Sequence, residues 1–111
     1  MNSVALSGRI VKDPNIHITN NGDKVASFTI AVHRPMTRDV TDFVECVAWD
    51  ERAEFIERNF KKDSKVEISG ILTTREYEKN GIRRKVTEIR INDAAFGPDI
   101  SSYITEKAEN E

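Results

Sequence analysis

The sequence predicts an all-β domain with a single helix, folded as a small barrel of five strongly coiled strands. Three observations carry this reading. Five segments alternate apolar and polar residues with a period of two, the first and fourth of them hold an internal glycine, and one segment between the third and fourth shifts to the 3.6-residue period of a helix. At 111 residues the chain has room for one core and not for two.

In "NSVALSGRIV" Val4, Leu6, Gly8 and Ile10 alternate with Ser3, Ala5, Ser7 and Arg9, a half-buried strand in which Gly8 marks a bend or a close backbone approach. "KDPN" stops it at Pro14. "NNGDK", Asn20 to Lys24, is rich in residues that tolerate positive φ, and it turns the chain into "VASFTIAVHR", with Phe28, Ile30 and Val32 on one face. "PMTRDVT" separates this second strand from the third, "DFVECVAWDE". There Val44, Cys46 and Ala48 make one wholly apolar face, while Phe43, Glu45, Val47 and Trp49 share the other.

The third strand ends at Asp50, a residue type suited to a helix N-cap. "ERAEFIERNFKK" then places Ala53, Ile56 and Phe60 at i, i+3 and i+7, with Lys61 and Lys62 suited to a last turn. "SKVEISGILTTREYE" sets Val66, Ile68, Gly70 and Leu72 against Glu67, Ser69, Ile71, Thr73, Arg75 and Tyr77; "KNG" is a hairpin turn and "IRRKVTEIRIN" the fifth strand. Three strands, a helix and two strands is the layout of an OB-fold, a five-stranded, partly open Greek-key barrel with the helix between strands 3 and 4, although other five-stranded barrels share such an order. Its second and third strands and the neighbouring loops often hold oligonucleotides. Residues 1–98 make up this domain, and residues 99–111 are read as a short acidic tail, frayed and without an element of its own.

Composition narrows the function. A content of 38% hydrophobic and 32% charged residues is that of a soluble globular protein. The sequence shows no apolar run of about 18 residues and no charged-then-apolar leader, so neither membrane span nor signal peptide is expected and the protein is read as cytoplasmic. The single cysteine, Cys46, and the two histidines, His17 and His33, fall into no metal-ligand spacing, so neither metal nor cofactor is expected. Cys46 sits mid-strand with no histidine near it in sequence, which reads as a small buried hydrophobe rather than a nucleophile. With no nucleophile–base pairing and no glycine-rich phosphate loop, an enzyme is not expected either.

A formal net charge of −2 runs against a polyanionic partner, but the charge is unevenly spread. From Asp99 onward four carboxylates face Lys107 alone, which leaves residues 1–98 at +1. Within them "RNFKKDSK" clusters Arg58, Lys61, Lys62 and Lys65, and "NGIRRKV" clusters Arg83, Arg84 and Lys85. Such runs serve either as solvated turns or as phosphate contacts. The aromatics weigh the choice. Phe43 and Trp49 lie on the face that carries Glu45, although the opposite face already suits a core. A lone tryptophan is otherwise a core residue, whereas an outward ring offers a platform to any base, at roughly 1–3 kcal/mol per base stacked. Six residues of strand separate the two rings by roughly 20 Å, the reach of several splayed nucleotides.

Four stretches in order resemble the bacterial single-stranded DNA-binding protein family in its short form, over residues 2 to 97. "GRIVKDP" is similar to the family's Gly-Arg-Leu-x-x-Asp-Pro, and "NGDKVASFTIAVHR" to its Ser-Gly-x-x-Val-Ala-x-Phe-x-Leu-Ala-Val-x-Arg. "DFVECVAWDERAEFI" and "FKKDSKVEISGILTTREYEKNGIRRKVTEI" resemble its third strand with helix and its fourth strand with hairpin. The resemblance implies an OB-fold that assembles as a homotetramer, sometimes a dimer, and binds single-stranded DNA without reading sequence during replication, recombination or repair. It implies base stacking on Phe43, Trp49 and Tyr77, with Met36 at the place of a further loop aromatic. Phosphates would be held by Arg34, Arg38, Lys61, Lys62, Arg75, Arg83, Arg84 and Lys85.

The sequence departs from that pattern in three places. Met36 stands in a loop, "HRPMTRDVTDF", shorter than many relatives have; a thioether can still lie against a base. Glu45 and Glu51 sit where relatives often carry neutral or basic residues. The family's acidic end closing in Ile-Pro-Phe is not seen in "EKAENE", so recruitment of repair proteins through such a tail is not expected. Short members of this kind occur among accessory paralogues and among phage or plasmid copies, which act at the nucleoid or at replication sites of those elements. RNA can use the same stacking chemistry, and an alternative is an OB-fold module that joins proteins in a replication assembly and binds DNA weakly.

Overall fold

The apolar halves of the alternating segments turn to one side and close a barrel around themselves. In the computed structural model, which describes residues 1–37 and 39–97, the chain forms β1 (Val4–Ile10), β2 (Asn15–Ile18), β3 (Lys24–His33), β4 (Thr41–Trp49), α1 (Glu51–Asn59), β5 (Lys65–Lys79) and β6 (Ile82–Phe96). Five strands make the ring in the order β1, β5, β6, β4, β3, with β3 returning to β1. All neighbours are antiparallel except β4 and β6, which run parallel. The architecture is that of an OB-fold.

Two features differ from the expectation. The ring is closed rather than partly open, through two short seams: Arg9↔Ala31 and Ile10↔Ile30 between β1 and β3, and Cys46↔Ile89 and Val47↔Arg90 between β4 and β6. A sixth strand, β2, lies outside the ring and pairs with β3 alone. The helix therefore falls between β4 and β5 by count, although it keeps its place between the third and fourth strands of the ring. Four residues are too few for alternation to announce a strand; the turn at Thr19–Asp23, closed by Thr19 N–H to Asp23 O at 2.8 Å and Gly22 N–H to Thr19 O at 2.9 Å, folds β2 onto β3.

The core comprises the expected faces. Ile10, Phe28, Ile30, Cys46, Ala48, Val66, Ile68, Ile89 and Ile91 are buried in one cluster with Ala53, Ile56 and Phe60 of the helical segment. Burial pushes the Cys46 thiol up to about 12, aided by the charges of Glu45 and Glu88, so it stays protonated at neutral pH and packs as an apolar group. No helix among the described residues is long and apolar enough to cross a membrane.

Asp50 occupies the N-cap of α1, but at φ 52° its carboxylate makes no side-chain cap bond. Asp50 Oδ1 instead accepts the Lys24 amide at 3.3 Å, and the Asp50 amide donates to Lys24 O at 2.8 Å, which fastens the start of the helix to β3. At the far end the Phe60 amide donates to Ile56 O at 2.9 Å from an extended residue, so Lys61 and Lys62 belong to the turn after the helix and not to its last turn.

β5 and β6, 15 residues each, form a hairpin that draws the molecule out to 60 Å along one axis against 31 and 29 Å along the others. Its turn is Asn80 and Gly81, at φ 54° and 76°, the pair of positive values that a two-residue hairpin turn requires. Register shifts between Ser69 and Gly70: Ser69 faces Asp93 and Gly70 faces Ile91, leaving Asn92 as an extra residue. The bulge keeps the faces in phase, since Ile89, Ile91, Ala94 and Phe96 all oppose core-side positions of β5 although Ile91 and Ala94 are three residues apart. Arg52 Nε donates to Asn92 O at 2.7 Å and ties the helix to the bulge.

Glycine is required where the strands approach most closely. A Cβ at Gly8 would stand 2.6 Å from Ala31 O, and one at Gly70 would collide with the carbonyl of Arg90. Backbone on the facing strand cannot step aside as a side chain could. Gly70→Ala is expected to destabilise the fold by about 1–3 kcal/mol, read as a lower urea midpoint with unchanged slope; wild-type stability would show that β6 yields at this point.

Candidate nucleic-acid interface

Antiparallel partners point to the same side of a sheet, so the β3–β4 register defines the outer face. Val25↔Trp49, Ser27↔Val47, Thr29↔Glu45 and Ala31↔Phe43 lie outward, back to back with the core pairs Phe28↔Cys46 and Ala26↔Ala48. The parallel pair Val47↔Arg90 carries this face onto β6, and Ile71↔Arg90, Arg75↔Val86 and Tyr77↔Arg84 carry it onto β5. Phe43, Trp49 and Tyr77, expected as stacking residues, thus lie on one continuous outer surface. Phe43 is 66% exposed and Tyr77 40%, whereas Trp49 is half-buried. The face is not uniformly wet: Val47, placed outward by alternation, is only 7% exposed. A shallow groove of about 380 Å³ runs beside Phe43, lined by Lys12, Asn15, Ser27, Thr29 and Glu45 among others.

Two rings on this surface carry a guanidinium. Arg90 Cζ lies 5.1 Å from the centroid of Trp49, and Arg75 Cζ 5.7 Å from that of Tyr77, both within cation–π range. Arg90 is not among the residues singled out from the sequence. Its outward direction was legible, because it stands between two core isoleucines in "EIRIN"; its place beside Trp49, 41 positions away, depends on the parallel seam and leaves no local signal.

The expected phosphate contacts divide into three groups. Arg34, Arg75 and Arg83 are each held by a carboxylate. Arg34 reaches Asp42 with both Nε to Oδ2 at 3.1 Å and Nη2 to Oδ1 at 2.6 Å, Arg75 Nε lies 2.9 Å from Glu88 Oε1, and Arg83 Nε lies 3.3 Å from Glu76 Oε2. The Arg34 hydrogen bond holds the Asp42 carboxyl below the usual range, and the same bond raises Arg34. Arg84, Lys85, Lys61 and Lys62 form no ion pair among the described residues. Arg38 lies outside the described residues.

The basic hairpin cluster is split by alternation. Arg84 stands across from Tyr77 on the outer face, while Lys85 and Arg83, paired with Glu76 and Glu78, stand on the opposite side of the hairpin. Lys61 and Lys62 sit near the other end of the face: the Lys62 amide donates to Asp13 Oδ1 at 2.8 Å, and Asp13 borders the Phe43 groove. Lys12 on that border is a cation the sequence reading passed over. Met36 is fully exposed at φ 62° in the loop between β3 and β4. Glu45 accepts the Thr29 hydroxyl at 3.2 Å, which turns its carboxylate along the face.

Fold and surface together define a small OB-fold barrel with aromatic rings and cations interleaved on one outer sheet face. The comparisons agree with that class: residues 1–97 match the Single-strand binding protein family. The chain belongs to this family. It is 41% identical to single-stranded DNA-binding protein A of Bacillus subtilis over 86% of this chain and 59% of that protein. It is 42% identical to single-stranded DNA-binding protein 3 of Listeria innocua over 86% of this chain and 63% of that protein, and 39% identical to the single-stranded DNA-binding protein of Halalkalibacterium halodurans over 86% and 60%. The chain thus spans about 60% of the length of these relatives.

Arg90→Ala uncovers one side of Trp49. Acrylamide quenching of the indole emission is expected to rise in this variant; unchanged quenching with a native circular dichroism spectrum would mean that Arg90 does not cover the ring in solution.

Proposed function

We propose that this protein binds and protects single-stranded DNA without reading its sequence. Bases stack on Phe43, Trp49 and Tyr77, and Lys and Arg side chains of the same face meet the phosphates. The observation that carries the reading is the continuity of this face across β3, β4, β6 and β5: Trp49 and Tyr77 each carry a guanidinium, so two of the three base platforms have a cation within reach of the neighbouring phosphate. The binding domain comprises residues 1–98, and residues 99–111 form a short acidic tail. The protein acts in the cytoplasm on strands exposed by replication, recombination or repair. Self-assembly into a tetramer, or a dimer, is supported by apolar side chains left open on the hairpin, Ile71 at 38%, Leu72 at 47% and Ile82 at 54% exposure, which a second copy would cover.

Binding of a dT oligomer is expected to quench Trp49 at low salt and to weaken as salt rises. Trp49→Ala and Tyr77→Ala are each expected to lower affinity about 5- to 150-fold, the equivalent of one lost base stack. An oligomer that leaves the indole unquenched would exclude Trp49 as a platform. Sedimentation with and without the oligomer reads subunit number and stoichiometry together, and a matched RNA strand as competitor reads preference between the two sugars.

The pairing of Arg34, Arg75 and Arg83 with carboxylates favours a second reading, a protein-joining module with weak DNA affinity. It is distinguished by DNA binding that the Trp49→Ala, Tyr77→Ala double variant leaves unchanged. Glu45→Gln keeps an acceptor for Thr29 while removing a charge from the face. It is expected to tighten DNA binding by roughly 0.5–1 kcal/mol at low salt; weaker binding would place the strand away from β4.

A further inference from the structure

We infer that Asp42 and Glu88 are positioning residues that set the affinity and salt response of this face, by occupying Arg34 and Arg75 until a phosphate replaces them. The inference rests on the DNA-binding reading above and concerns how the face exchanges one anion for another. Asp42 belongs to β4, which carries Phe43 and Trp49, and Glu88 to β6, which pairs with both β4 and the Tyr77 strand β5. Asp42 precedes Phe43 on β4 and alternates to the other side of the strand, beside the β3–β4 loop that begins at Arg34, whereas Glu88 lies on the outer face of β6, two residues before Arg90. Glu88 engages an arginine already placed beside a ring, and Asp42 one that directly follows β3. Arg75 is bound to Glu88 while it lies over Tyr77, and Arg34 is gripped by both oxygens of Asp42.

The two pairs are unequal. Arg34 and Asp42 are 53% and 43% exposed, so either partner is readily rehydrated and the pair is weakly held. Glu88 is 12% exposed beneath an Arg75 that is 57% exposed. A phosphate taking Arg75 would leave Glu88 partly desolvated and without its partner, so this exchange is the less favourable. Arg90, in contrast, covers Trp49 without an ion pair among the described residues and can turn to a phosphate with no carboxylate left behind. Trp49 is therefore the platform that opens first, and Tyr77 the guarded one.

The exchange has a signature in salt dependence. A free cation that neutralises a phosphate of a single strand releases condensed counterions and contributes about 0.7 to the slope of log K against log salt. When the cation comes from an internal pair, the carboxylate it leaves takes up a cation from solution, and the net release falls. Asp42→Asn and Glu88→Gln free the arginine while keeping the shape of the acid. Each is expected to steepen the slope for a dT oligomer, by up to about 0.7, and to raise affinity several-fold at about 50 mM salt. The gain should be larger for Glu88→Gln. Repeating the two changes with Arg34 or Arg75 replaced by glutamine separates arginine release from simple loss of repulsion: the steeper slope should vanish without its arginine.

Unchanged slopes in variants with native circular dichroism would overturn the inference, as would a gain that persists when the arginine is gone. The two acids lie on different strands, so if one variant fails to fold the other still decides. A wild-type protein that binds no dT oligomer at low salt overturns the functional reading itself, and the inference with it; a wild-type protein that binds, with variants of wild-type slope, overturns the inference alone.

Discussion

The parallel contact between β4 and β6 is the constraint on which the rest of the structure depends. Only Cys46↔Ile89 and Val47↔Arg90 form it, yet together with the β1–β3 seam it closes the ring, and it aligns both sides of the sheet at once. Inward it sets the Cys46 thiol against the isoleucines of β6. Outward it places Arg90 on the Trp49 ring and joins the β4 aromatics to the hairpin that carries Tyr77. Without this seam the core would lose a wall and the outer face would separate into two unrelated patches.

Packing across the seam depends on two local devices. Gly70 lets β5 pass the Arg90 carbonyl at a distance no side chain permits. Asn92 adds the residue by which β6 keeps its apolar side inward after that crossing. The helix is fastened to the same region through Arg52 and to β3 through Asp50, so it ties together β6 and β3, which do not pair with each other in the ring.

Much of this was legible in the residues. The apolar face of Val44, Cys46 and Ala48 leaves Phe43 and Trp49 outward whatever the partner strand is, and the two glycines mark the close approaches. The helix with Ala53, Ile56 and Phe60 follows from its period alone. Other features lie beyond local pattern. β2 is too short to show alternation. The strand after Asn92 could not be followed, because the bulge breaks the period at the place where the segment was expected to end. The carboxylate partners of Arg34 and Arg75 are set by cross-strand and loop geometry, which sequence spacing does not contain. The same holds for the basic run at Arg83, Arg84 and Lys85, which reads as one cluster in the chain and becomes two faces in the hairpin.

The hairpin has the further property of being a lever whose length is independent of its fulcrum. Tyr77 and Arg84 stand on an arm held by its own ladder and by the Asn80–Gly81 turn, well away from the buried cluster. Insertions or deletions made in step on both strands, and in even numbers, would move the ring along its axis while leaving it on the same side. Barrel stability and the span between Trp49 and Tyr77 are then separately adjustable, and the spacing of nucleotides along the protein can be changed without redesigning its interior.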